Sequence, residues 1–158
     1  MSTREFFAQR LEAEIPAFVN VIRALPADRL DYKPHEKNTS AGDLAWQIAE
    51  ELRGLAGLME TGEISMGPSA HPSVDEIATA VEREAKRAVE SVRNGSDEQW
   101  SRAAKFSWAG NAVWEVPADQ MAWGFLFDLV HHRGQLSTYL RPMGGKVPSI
   151  YGPSGDAS

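Results

Sequence analysis

The sequence predicts an all-α fold, a four-helix bundle with long connecting loops, formed as one domain over residues 1–158. Three observations predict it. Four long segments repeat apolar residues at spacings of three and four, the period of a helix with one buried face. No stretch shows the repeated alternation expected of half-buried strands. A chain of 158 residues, 42% hydrophobic and 24% charged, is also large enough to close a single core.

The first helix is expected from about Thr3 to Leu25, with Phe6, Phe7, Leu11, Ile15, Phe18, Val19, Ile22 and Leu25 on its apolar face. Pro16 falls inside that pattern and lacks a backbone donor, so a kink or break is expected there. The proline-rich stretch LPADRLDYKP then makes a connection. In NTSAGDLAWQIAEELRGLAGLM, Thr39 or Ser40 caps a second helix, with Asp43 near its positive end. Its core face is Leu44, Ile48, Leu52, Leu55 and Met59, flanked by Trp46 and Gln47.

Ser73 and Glu76, three residues apart, announce a third helix after Pro72. Ile77, Val81, Ala85, Ala88 and Val92 give it a thin, small-residue face, and Gly95 stops it. SDEQWSRAAKFSWAGNAVWEVPAD has no clean period and reads as an irregular stretch with a short extended piece at NAVWEV. Its tryptophans, Trp100, Trp108 and Trp114, read first as core filling, while Trp123 fills core or lines an opening. The last helix starts near Pro117, a favoured first-turn proline position, and ends near Leu140, before Pro142, Gly144 and Gly145. Connections of roughly 13 to 24 residues exceed minimal up-down loops, permit a non-sequential order and can shape a pocket mouth.

Composition narrows the partners. Sixteen basic against 22 acidic residues give a net charge of −6, which disfavours nucleic acid. The absence of cysteine excludes disulfides, thiolate zinc sites and a cysteine nucleophile. The N-terminus does not read as a signal peptide, and no apolar run approaches the length of a membrane span. The expectation is a cytoplasmic protein with no membrane partner.

On the last helix, Met121, Phe125, Asp128 or Leu129, His132, Leu136 and Tyr139 fall along one line. Asp128 and His132 are one turn apart, so their side chains meet on a face that otherwise points to the core. A buried carboxylate needs a partner, either His132 or a metal ion. Carboxylate and imidazole are both good ligands for divalent ions, but a catalytic site needs about three protein ligands. The second helix offers Gln47, a weak neutral ligand, and Glu51, a stronger one if it faces inward. Against this, an Asp/His pair at this spacing is more often structural. His131 reads as a boundary or solvated residue, His35 and His71 as surface loop residues, and Arg133 and Arg141 as helix-end cations.

The stretch DLVHHRGQLSTYLRPMGGKVPSIYGPSG, with TSAGDLAWQIAEELRGL and the aromatic start of the first helix, resembles the DinB/YfiT-like family over essentially the whole chain. The resemblance implies a four-helix bundle of unusual connectivity, commonly a homodimer. It also implies a divalent metal, zinc or nickel, held in many members by three histidines at one end of the bundle. Carried onto this chain, those positions are Gln47, Asp128 and His132, so one of the three histidines is kept. His131 matches a position that is usually not a direct ligand.

Some relatives resemble transferases that join a low-molecular-weight thiol to an electrophile; others resemble metal-dependent hydrolases or isomerases. The first functional expectation is therefore a metal-dependent enzyme, a thiol-dependent transferase acting on a small electrophile. Asp128 and His132 would be catalytic, and both would bind metal together with Gln47. The alternative is a non-catalytic small-molecule-binding or interaction bundle with a degenerate metal site. A third reading is metal-free acid–base chemistry in which Asp128 orients His132.

Overall fold

The structure, a computed structural model, describes residues 1–156. Helix α1 (Thr3–Arg23) opens at Ser2, whose hydroxyl accepts from the Glu5 amide. Pro16 lies within it without ending it. The lost hydrogen bond is offset by burial on both sides, because Leu11, Phe18 and Ile22 are fully buried and each contributes about 1.5–3 kcal/mol.

Helix α2 (Ala41–Thr61) starts at Ser40, which accepts from the Asp43 amide, and ends at Gly62, whose φ of 73° is left-handed. There the Gly62 amide donates to the Leu58 carbonyl, closing the last turn. Helix α3 (Val74–Asn94) carries the full capping box, Ser73 and Glu76 satisfying each other's backbone donors. All five residues of the thin face predicted for this helix are buried. Helix α5 (Ala118–Leu140) follows Pro117 directly.

The long helices do not neighbour one another in chain order. α1 packs on α3 and α5, and α2 packs on the same two, so α1 and α2 occupy opposite corners. The long connections make this crossing possible.

The expectation of a four-helix bundle joined only by loops needs correction. A short fifth helix, α4 (Asp97–Ser101), seats Trp100 against Phe7, and a three-stranded sheet fills the remaining connections. Strand β1 (Glu63–Met66) pairs in parallel with β2 (Ala103–Trp108), which pairs antiparallel with β3 (Asn111–Pro117). The extended piece expected at NAVWEV is the core of β3. Ala109 and Gly110 turn the hairpin with φ of 48° and 80°, the two left-handed residues of a type I′ turn.

Local periodicity misses β1 and β2 for a physical reason. β1 has four residues, and its hydrogen bonds go to a strand 42 residues later, since Glu63 pairs with Lys105. The sheet lies against α2 and α5, with Phe106 edge-on to Phe125 at 5.3 Å between ring centres. No helix among the described residues is long and apolar enough to cross a membrane.

Candidate metal centre

Helices α2 and α5 are neighbours, and their facing turns bring four polar side chains together. Glu51 sits one turn after Gln47, as His132 sits one turn after Asp128. His132 Nε2 lies 3.2 Å from Glu51 Oε1, 3.4 Å from Asp128 Oδ2 and 2.9 Å from the Gln47 amide nitrogen. Gln47 also donates to Glu51 Oε1 at 3.0 Å. The other imidazole nitrogen, Nδ1, is 3.0 Å from Gln135 Oε1, which fixes the ring plane.

The buried carboxylate is Glu51, with a side chain 1% exposed, whereas Asp128 is half exposed at 50%. The expectation of a buried carboxylate is thus met one helix away from where the last helix's wheel placed it. Leu129 takes the core line of α5 instead, and Asp128 stands at the rim. The sequence signal for Glu51 was its position one turn beyond Gln47, near the core stripe.

Charge makes this arrangement incomplete. With Nδ1–H directed at Gln135, the Nε2 lone pair faces two carboxylate oxygens, and the Gln47 amide is the donor set against these three acceptors. Burial raises the Glu51 carboxyl above its ordinary range, with Asp128 adding repulsion and His132 pulling the other way. Burial opposes a charge on His132 as well. Its hydrogen bonds to Glu51 and Gln135 and the charges of Glu51 and Asp128 outweigh that, lifting it to about 9. The site therefore demands positive charge, as an imidazolium proton or as a metal ion.

A divalent ion fits the donors present. Oxygen and nitrogen ligands about 2.1 Å from a tetrahedral ion lie about 3.4 Å apart, close to the two His132–carboxylate separations. Glu51, Asp128 and His132 each offer a ligand atom, all within 4.8 Å of one another. Glu51 Oε2 is buried without any hydrogen-bond partner, a costly vacancy in the bonding of a carboxylate unless something further binds it. Two carboxylates also neutralise a dipositive ion, which three histidines do not.

All three residues expected to hold metal, Gln47, Asp128 and His132, are in this cluster. Gln47 contacts it through hydrogen bonds to Glu51 and His132. His131 is exposed and His35 lies in an exposed loop, as expected, whereas His71 is partly buried. Arg133 departs from the helix-end role. Its side chain faces α1, is 3% exposed and pairs with the buried Glu14, while the Tyr151 hydroxyl accepts from it at 2.6 Å and donates to Glu14 at 2.9 Å.

Gln47, Glu51 and Asp128 of the cluster line a cavity of about 770 Å³, together with His131 but not His132, and its volume is within the usual range for small-molecule sites. Of the tryptophans read as core, only Trp100 is buried. Trp108 and Trp114 line this cavity and are partly open to solvent. Trp114 lies across α5 at Gly124, where an added Cβ would meet its ring at 2.5 Å.

A helical bundle with a carboxylate–histidine cluster, a candidate metal site, beside a largely apolar cavity is the class that fold and geometry define. The chain belongs to the DinB family, whose model matches residues 1–157. The fold is similar to that of a DinB-like protein, YjoA, from Bacillus subtilis, at a TM-score of 0.71 and 18% identity, covering 93% of this chain and 97% of that one. It is equally similar to a DinB-like protein from Bacillus cereus, at 0.71 and 20% identity, over 92% and 95% of the two chains. No curated protein matches the sequence.

Proposed function

We propose that this protein is a metal-dependent enzyme, a thiol-dependent transferase acting on a small electrophile, with the divalent ion, zinc or nickel, held by Glu51, Asp128 and His132. The observation that carries the metal reading is the unpartnered Glu51 Oε2, buried at the floor of the cavity beside a second carboxylate and an imidazole. When bound, such an ion lowers the pKa of a thiol or water and orients it. Glu51 supplies buried negative charge, and Gln135 orients the His132 ring so that Nε2 faces the two carboxylates. Gln47 positions both groups, and its carbonyl is available as a fourth ligand if the amide turns over. Asp128, at the rim, is placed both to ligate and to pass a substrate proton to solvent. The aromatic cavity walls offer the electrophile an apolar surface.

Metal analysis of protein purified without an affinity tag tests this. Near-stoichiometric metal in the native chain, lost in His132→Ala and Glu51→Gln, is expected. Substoichiometric metal unchanged in both variants leaves the second reading, a small-molecule-binding bundle, which the cavity alone supports. The transferase step is read separately, as loss of free thiol that requires both metal and electrophile. The protein is further proposed to act in the cytoplasm as a homodimer. The exposed Phe6 and Phe127 flanking Trp123 provide apolar surface for pairing, and light scattering reads the mass.

A further inference from the structure

The cavity has walls as informative as its floor. Phe106, Phe125, Phe127, Trp108 and Trp114 surround it, a concentration of flat apolar surface unusual for one small opening. Phe106 and Trp108, alternate residues of β2, face it together, while Trp114 enters from β3, where it pairs in register with Phe106. The lining also includes Glu51, Asp128 and His131, and no lysine or arginine. Lys105, the cation nearest in sequence, precedes Phe106 on β2 and is exposed, paired in register with Glu115. A second cleft shares Gln47, Met66 and Trp108 with the first and carries Asp43 and Glu50, again without a lining cation.

We infer that the small molecule bound here is planar and apolar and carries no negative charge. Flat rings match the stacking and edge-on surfaces that the five aromatic side chains offer. An anionic group entering the same space would leave water and meet two carboxylates, whose charge the single His132 imidazolium offsets only in part. The half-exposed Asp128 carboxylate instead accepts a hydrogen bond from a hydroxyl or amine of the ligand. The inference deepens the proposed function and rests on the walls and on the charge balance of the metal-free cavity. It also constrains the transferase reading: any carboxylates on the thiol must lie outside this cavity.

Three isosteric probes test it: 2-naphthylmethanol, 2-naphthylmethylammonium and 2-naphthoate. They are titrated calorimetrically into the full chain as purified and after chelator treatment. The chelated protein decides the selectivity, because a carboxylate would coordinate a bound ion directly. There the alcohol or the ammonium is expected to bind about tenfold or more tightly than the carboxylate, the scale of one like-charge contact in a partly dry cavity. Trp108→Ala is expected to weaken the better probe by about fivefold through loss of a wall. Gly124→Ala, which drives Trp114 from its seat, should weaken it similarly while helical circular dichroism stays unchanged. Naphthoate binding as tightly as the other two, or no probe binding at all, overturns the inference. Failure of the metal reading appears elsewhere, in the stoichiometry of the native protein, and leaves this ranking intact.

Discussion

Lowering the pH from 8 to 6 should sharply weaken binding of the proposed ion. His132 holds its proton up to about pH 9, so a metal ion binding at Nε2 must displace that proton throughout this range. The penalty is the factor by which protonation depletes free imidazole. For a group titrating at about 9, affinity falls about 90-fold between pH 8 and pH 6, while an ordinary histidine near 6.5 gives only about fourfold. Glu51, raised above its ordinary range by burial, adds to the loss only at the acid end. Chelator competition with zinc-free protein at pH 6, 7 and 8 measures the slope. A change below about tenfold across the two units would refute the argument, because it would mean that the proton held between the carboxylates is not the one the metal displaces.

Further predictions follow from the same geometry. The chelated protein should lose stability as pH rises. The His132 contribution is complete below the unfolded value near 6.5, is lost through about 9, and amounts to at most about 3 kcal/mol. Urea unfolding at pH 6.5 and 9.5 would show it, and equal midpoints would contradict it. Arg133→Met strands the buried Glu14 carboxylate and should cost about 3–5 kcal/mol, with most of that recovered in the double variant Glu14→Leu/Arg133→Met. A double-mutant cycle by chemical denaturation checks the pair. Gly62→Ala forces a side chain into the left-handed closing turn of α2 and should lower stability by about 1 kcal/mol, visible as a reduced melting temperature.

How much of this was legible in the sequence depends on the range of the interaction. Helix signals are local. Ser40, Ser73 and Gly95 mark their boundaries, and Leu44, Ile48, Leu52, Leu55 and Met59 are all buried as the wheel requires. The pairing of β1 with β2 is not local, and the alternation of Glu63–Met66 is too short at four residues to stand out from its helical neighbour. The same distinction runs through the site. Asp128 and His132 meet because they share a turn, which the wheel shows. That Glu51 and not Asp128 is the buried acid depends on how far α5 is rotated against α2, and no single helix encodes that angle. Glu14 lies between Leu11 and Phe18 on the core stripe of α1, so its burial was readable. Its partner Arg133, 119 residues away, was not.

The sheet that covers the cavity is built from connections and not from the bundle's own helices. Its two most prominent aromatic side chains, Trp108 and Trp114, stay partly in solvent, and the bundle core closes without them. The exposed rings of the cover are therefore separable from the foundation, to which the buried Ile64, Met66 and Ala104 anchor the sheet. The hairpin can change length or exchange its rings with little effect on the fully buried Phe7, Phe18 and Ile48 that hold the helices together. A protein assembled this way can be fitted for a new guest by editing a few exposed residues, while the cation site beneath keeps its geometry.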